Sequence, residues 1–558
     1  MKYLSIHGTF WIDWSDRAVK IVPDEEANVD MARVDDEFRG DFHPQIPVKF
    51  KRFGYLLIIA LLILLGCKEE YLNVLPEDKI TDASFWTTEN DVDLALNGIY
   101  SVLAERGIYG AGPSLEACTP DAYQWAHWNG KLQQIGNGSA TASTGEFIPE
   151  RWTMCYRMIY RANYLFENID KVPLDETEKN RYLGETHFLV GIAYALLAET
   201  YGDVPIVDKV ITAQEAREVS PSPQQAVWDR AIAAYDTAIQ NLGETAPDVG
   251  RATKGAALGM KMRAMLYQGE YEEVLSIVDQ IDALNLYDLY PSYEGLFKVE
   301  NEGNEAVLFD IQYIDGEQAQ GNFFAWLGRP QGIKTGADGA SDVAPTQQMV
   351  DKYEMIDGSA VDPDNPYTGR DPRLDFSILR PGAMYEGEMY PGVIHNHTGQ
   401  RVGFGMRKYT AEGTSVSSSR QVPLNFIVLR YADVLMSKAE AMIETNQDIP
   451  GAIAILNRIR TERDDVKITP LSTSLSQAEA RSMLRKERRI EFFLEGTFWS
   501  DIKRWDIGSE LYPSEVRAGD GSLIEVKFPT GYDSHYNLLP IPDDELSLNE
   551  NLTQNPGW

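Results

Sequence analysis

The chain of 558 residues carries 51 Lys and Arg against 85 Asp and Glu, a formal net charge of −34 at pH 7. A field of that sign repels nucleic acid and anionic lipid headgroups, and no concentrated basic patch offsets it, so nucleic acid is excluded as an expected partner. With 43% hydrophobic and 24% charged residues the composition is that of a globular protein with a large core, while three cysteines, Cys67, Cys118 and Cys155, are too few for a disulfide scaffold or a multi-cysteine zinc site.

Residues 1–48 show neither a clean periodic pattern nor an export signal, and are expected to be a non-native or mis-assigned extension, with Val48 read as a GTG-encoded start. Residues 49–66 read as a lipoprotein signal peptide. Lys49-Phe50-Lys51-Arg52 is basic, and the uncharged stretch Phe53–Cys67 that follows is 15 residues long, short of the roughly 18 that a spanning helix needs. Its end, Leu64-Leu65-Gly66-Cys67, has the form of a bacterial lipobox, in which small residues admit the peptidase and the cysteine thiol takes a diacylglycerol. Acylation of Cys67 on thiol and amine supplies several fatty chains, enough for durable anchoring where one is marginal. The expected mature chain, 67–558, is one domain that sits on a membrane without crossing it.

Beyond the anchor, helical periodicity dominates. Thr88-Glu89-Asn90-Asp91 has capping-box form and precedes the stripe Val92, Ala95, Leu96, Ile99 and Leu103, which ends at Gly107. Further stripes follow at Trp152, Tyr156, Ile159, Asn163 and Phe166, at Phe188, Ile192, Ala195 and Leu196, and at Trp228, Ile232, Tyr235 and Ile239. Two stretches read as helix hairpins: Ala256–Tyr267 turning at Gly269-Glu270-Tyr271, and the stripe from Tyr431 to Met442 restarting at Asp448 and Pro450. Between them Val307, Phe309, Ile311 and Tyr313 alternate with Leu308, Asp310 and Gln312 as in a strand, and a stretch rich in Gly, Pro, Asp and aromatics runs on to about residue 425. The expected fold is mainly α. It is a tetratricopeptide-like helix-pair scaffold, an α-α superhelix built mainly from 85–295 and 427–510, with a loop-rich insertion at 300–425 and a few short strands.

Several motifs stand in an order that resembles the SusD/RagB family, the starch-utilisation-system D-like nutrient-binding lipoproteins of the outer membrane. Phe85-Trp86 with Asn97-Gly98-Ile99-Tyr100 looks like the family's first helix, and Arg161-Ala162-Asn163 like its second. Tyr201-Gly202-Asp203-Val204-Pro205 resembles its turn, and Pro345-Thr346, Asp357-Gly358 and Arg370-Asp371-Pro372-Arg373 its central segment. Leu429-Arg430-Tyr431-Ala432-Asp433 leads to Ala439-Glu440-Ala441, and Glu487-Arg488, Glu491, Glu495-Gly496, Asp501 and Arg504-Trp505 look like its late charged helix. Leu538-Leu539-Pro540-Ile541-Pro542 and Gln554-Asn555-Pro556-Gly557-Trp558 complete the set. One departure stands out: the family commonly has Phe-Leu-Arg-Ala where this chain has Phe188-Leu189-Val190-Gly191. The resemblance implies a non-catalytic, surface-facing subunit that captures oligosaccharide and delivers it into a SusC-like TonB-dependent outer-membrane transporter.

A sugar ring offers apolar C–H faces and equatorial hydroxyls, so a site for it needs aromatic platforms flanked by polar side chains. Two segments answer that description and supply the candidate glycan-binding residues: Tyr123, Trp125, Trp128 and Asn129 in one, Phe324 and Trp326 in the other. The set Glu487, Arg488, Glu491, Glu495, Asp501 and Arg504 resembles a catalytic carboxylate cluster but reads as a structural ion-pair network, since each acid has an arginine about one turn away. His395-Asn396-His397 lacks a neighbouring third ligand, and Asp362-Pro363-Asp364-Asn365 lacks the glycine and distal glutamate of a calcium loop. No cofactor and no metal are expected, and whether Cys118 and Cys155 pair is open. Two alternatives stand beside the glycan-binding reading. A helical glycoside hydrolase needs two carboxylates about 5–9.5 Å apart in a cleft, and a protein-only repeat scaffold would expose no aromatic platform.

Overall fold

The computed structural model describes residues 3–6, 10–13, 20–23, 85–125, 129–314, 321–331, 339–392, 403–415, 420–517 and 521–558. The chain falls into two units, Met1–Lys79 and Ile80–Trp558. Within the first, β1 (Tyr3–Ile6), β2 (Phe10–Asp13) and β3 (Lys20–Pro23) form an antiparallel sheet in that order, where the sequence carries no strand signal that we read. Residues 49–66 and Cys67, as well as Trp128 and His395-Asn396-His397, lie outside the described residues.

The larger unit is a mainly helical, tetratricopeptide-like scaffold. Helix α1 (Glu89–Tyr100) begins where the Asp91 carboxylate accepts from the backbone N–H and hydroxyl of Thr88, and it buries Val92, Leu96 and Ile99. The predicted stripe extends to Leu103, but the α-helix stops at Tyr100 and a 3₁₀ turn, Ser101–Ala104, carries Leu103 into the core. After the short strand β4 (Ala122–Gln124) come α2 (Phe147–Asn168), the 26-residue α3 (Glu176–Tyr201), α4 (Gln224–Asn241), α5 (Lys254–Gln268) and α6 (Tyr271–Ala283). Asp175 caps α3 by accepting from the Glu178 N–H at 2.9 Å. The turn between α5 and α6 needs Gly269, whose φ of +76° is a left-handed conformation that a Cβ disfavours.

Strand β5 (Val307–Ile311) then pairs antiparallel with β7 (Phe426–Arg430), and β6 (Val343–Pro345) pairs with β4, so that Tyr123 stands opposite Ala344. β7 runs straight into α7 (Tyr431–Glu444), which is followed by α8 (Ile449–Thr461), α9 (Gln477–Glu491), α10 (Phe498–Arg504) and the hairpin β8 (Ser514–Arg517) and β9 (Leu523–Lys527). Helices pack in stacked succession, α3 on α4, α4 on α5, α5 on α6, α6 on α7 and α7 on α8, with a continuous apolar core between them.

The packing accounts for the departure at 188–191. Val190 is buried, and a Cβ at Gly191 would lie 2.5 Å from the Tyr235 ring of α4, so α3 and α4 approach at a contact that admits no side chain. The arginine position is taken by buried Val190, and the alanine position by Gly191, whose missing Cβ admits the Tyr235 ring.

Candidate functional site

A cleft of about 960 Å³ opens beside the end of α1, bounded by the 3₁₀ turn after it, the loop at Val249–Arg251, strand β5 and residues Gly321–Leu327. It draws on both aromatic segments singled out in the sequence: Asn129 reaches it from the first, and Phe323, Phe324 and Leu327 from the second. Phe323 is 40% exposed, its ring 5.1 Å from that of half-buried Trp326, and the Arg420 guanidinium sits 4.5 Å over the Trp326 ring. The three form a partly solvent-facing platform at the cleft edge. Asn97, Ser101 and Gln312 bring an amide, a hydroxyl and a second amide to the lining, and all three residues are exposed.

Among the described lining residues the cleft holds two guanidinium groups, each committed to carboxylates. Arg106 donates through Nε and Nη2 to the two oxygens of Glu150, both at 2.9 Å, and through Nη1 to Glu146 at 3.3 Å. Arg251 meets Asp93 at 2.5 Å and Glu185 at 3.4 Å, with its guanidinium 5.2 Å over the Tyr100 ring. Burial works against the Arg251 charge, but Glu185 and Asp93 outweigh it and raise its pKa. Among the described lining residues the one carboxylate is Asp310. It accepts from Gln312 at 2.6 Å and Asn425 at 3.1 Å, and burial raises its pKa despite those bonds. Behind the cleft wall Asp342 accepts from Asn129 at 2.6 Å and Gln124 at 3.0 Å; burial pushes its carboxyl up to about 7 against hydrogen bonds from Gln124, Asn129 and Ser114.

The sequence-derived candidates divide. Tyr123 and Trp125 are not platforms: both are buried, in a cluster with Ala344 and Val516, because Ala122–Gln124 is a strand paired with β6 and not a loop. The Trp125 indole N–H donates to the Ser341 carbonyl at 2.7 Å, which satisfies its polar edge inside. Phe324 is likewise a core ring, 2% exposed and packed edge-on against Tyr313, Tyr409 and Phe426. Asn129 is buried at the cleft wall, and Trp326 is the one named ring that stays half-exposed among the described residues. Phe323, which opens the second aromatic segment and precedes the short helix Phe324–Gly328, is absent from the sequence-derived candidates, as are the two arginines, which carry no local motif. Asp310 and Gln312 belong to the alternating run expected to form a strand; Asp310 is buried within β5, and Gln312, just past its end, is exposed.

The charged set lies apart from the cleft lining, in a buried lattice. Glu491 accepts from Arg463 at 2.6 Å, Arg430 at 2.7 Å and Arg373 at 2.9 Å. Glu487 meets Arg373 and Arg460, Glu495 meets Arg430 and Lys408, Arg488 bridges Asp433 and Asp501, and Arg504 joins Asp501 to Glu440. The partners are mostly remote in sequence, with Arg504–Asp501 the one pair within a helical turn among these contacts, so the lattice ties β7, α7, α8, α9 and α10 together. Burial acts to raise the Glu491 carboxyl, yet Arg463, Arg430 and Arg373 hold it well below the usual range. These acids are buried and turned to arginines and lysine within the protein, away from the cleft. Cys118 and Cys155 are free, buried thiols that burial pushes up to about 12, and Asp362 accepts from the Asp364 N–H and the Asn365 amide of its own exposed turn.

Two family models match the chain. One, described as the SusD family, covers residues 305–558, and the other, described as starch-binding associating with outer membrane, covers residues 70–266. A curated relative, SusD-like protein P2 of Formosa agariphila, is 25% identical over 546 residues, 91% of this chain and 100% of its own length. Two crystal structures from Bacteroides fragilis, a SusD-like protein and a SusD-like carbohydrate binding protein, each superpose with a TM-score of 0.75 at 26% identity. They cover 87% and 84% of this chain and all of their own.

Proposed function

The chain belongs to the SusD/RagB family, and on that premise we propose that it is a cell-surface lipoprotein that captures oligosaccharides without cutting them and hands them to a TonB-dependent outer-membrane transporter. The observation that carries this reading is the composition of the cleft. Its exposed Phe323, backed by Trp326 and Arg420, offers a flat apolar face for the C–H surface of a sugar, and Asn97, Ser101 and Gln312 offer the hydrogen-bonding groups that equatorial hydroxyls need. About 960 Å³ is at the upper end of ordinary ligand pockets, room for several sugar units. A glycosidase needs a carboxylate pair across the scissile bond, and Asp310 stands without a second carboxylate among the described lining residues. The similarity to a carbohydrate binding protein of the same fold points the same way.

Membrane attachment belongs to Cys67 in this reading, and the description of the N-terminal family match as associating with the outer membrane supports it. The test uses the chain beginning after Cys67, titrated calorimetrically with malto-, laminari- and cello-oligosaccharides, with reducing ends measured over the same period. Saturable binding with intact sugar is expected. Turnover of bound sugar would replace this reading with the hydrolase, and failure to bind any saccharide would remove it.

A further inference from the structure

We infer that the cleft is built for uncharged oligosaccharides and rejects those bearing uronate or sulfate groups. The inference rests on the glycan-capture reading and adds the class of sugar. An anionic glycan is ordinarily held by arginine, whose fork of N–H groups matches a carboxylate or sulfate, so the question is whether the cleft has a guanidinium to offer.

Among the described residues it has two in its lining, and both are turned to the protein's own carboxylates; Arg420, at the cleft edge and outside that lining, lies over the face of the Trp326 ring. Arg106 spends one edge on both oxygens of Glu150 and a further N–H on Glu146, so one positive charge is answered by two negative ones. Arg251 lies between Asp93 and Glu185, and Glu185 is in turn shared with Arg181, itself engaged by Glu178. Each arginine therefore sits in a cluster whose formal charge is negative. The remaining charged group among the described lining residues, Asp310, is an acid, and the whole chain adds a field of −34. A uronate entering here would give up its water to meet local negative potential, whereas a neutral sugar loses nothing by the arrangement. The guanidiniums keep unspent N–H groups suited to hydroxyl oxygens: three of the five on Arg106 and two of those on Arg251 are accounted for by the bonds above.

The experiment compares oligosaccharides of equal length, laminarihexaose against hexagalacturonate and a sulfated carrageenan hexamer, by calorimetry on the chain beginning after Cys67. Wild-type protein is expected to bind the neutral sugar more tightly than either anionic one. Glu150→Gln frees the edge of Arg106, and Asp93→Asn frees Arg251; both partners are partly exposed, so each variant is expected to fold, which its thermal unfolding checks. Either change should shift the ratio of affinities toward the uronate by about tenfold, the worth of one charge-assisted hydrogen bond. Tighter binding of the uronate or the sulfated sugar by wild type would overturn the inference and leave glycan capture standing. An unchanged ratio in both folded variants would also overturn it. If no saccharide of either kind binds, the capture reading falls and this one falls with it.

Discussion

Phe323 and Phe324 are adjacent, but only one ring faces solvent to any extent, so their substitutions separate binding from folding. Phe323→Ala removes cleft surface and should weaken oligosaccharide binding by about 1 kcal/mol, roughly fivefold, while leaving the unfolding midpoint near wild type. Phe324→Ala opens a hole between Tyr313, Tyr409 and Phe426 and should cost about 3–5 kcal/mol of stability by denaturant unfolding. Equal losses of affinity with no loss of stability in both variants would contradict that division. Asp342 adds a pH dependence whose sign follows from its raised pKa. Between its ordinary value near 3.9 and about 7 the folded protein keeps a proton that the unfolded chain has released, so stability is full at acid pH and falls as pH rises through 7. His187, which burial lowers to about 4, acts in the opposite direction between 4 and 6.5, so the informative measurement is a difference. Asp342→Asn keeps a neutral side chain at every pH. The drop in denaturation midpoint between pH 5 and pH 8 should be smaller in this variant than in wild type, and an equal drop in both would count against a buried neutral carboxyl.

At the level of elements, the helices were legible because an apolar stripe at 3.6 spacing has one physical reading when caps and glycine turns agree with it, as at Thr88, Asp448 and Gly269. The binding face was only partly legible, for a reason visible in Tyr123–Asn129. Polar neighbours around two tryptophans suggested exposed platforms, but pairing of β4 with β6 turns Trp125 inward, and a strand partner more than two hundred residues away leaves no mark on local sequence. Arg106 and Arg251 were missed likewise, since their carboxylates come from α1, α2 and α3 and only the fold assembles them. The charged set was expected to pair within about one helical turn, whereas its partners are mostly long-range, which makes it a joint between elements and gives it a predictable weakness. Glu491→Gln removes a counter-charge that three buried guanidiniums share, the one ion-pair partner of Arg463 among the described contacts, and should cost about 3–5 kcal/mol in denaturant unfolding, more than any surface pair. Gly191→Ala tests the α3–α4 contact: the added methyl meets the Tyr235 ring, and a loss of about 1–3 kcal/mol is expected by the same measurement. A neutral Gly191→Ala would mean that α3 and α4 have slack there.

For the whole molecule, charge and anchoring make separable demands. A chain of net charge −34 is repelled by an anionic membrane surface, so attachment by electrostatic adhesion would be weak and lost in salt, whereas acyl chains contribute about 0.8 kcal/mol per buried CH₂ and are indifferent to it. Among the described residues no helix is long and apolar enough to cross a membrane, so the proposed lipid at Cys67 is the attachment to test. In cells, the wild-type protein should stay in the membrane fraction through a high-salt wash, leave it in detergent, and incorporate labelled palmitate. Cys67→Ser should abolish the label and release the protein into the soluble fraction. Because the cleft is built from residues between Asn97 and Gln421, the released protein should still bind oligosaccharide with wild-type affinity. Retention of Cys67→Ser through the salt wash would transfer the attachment to another part of the chain or to a bound partner, while release with loss of sugar binding would mean that the anchor segment also supports the fold of the cleft.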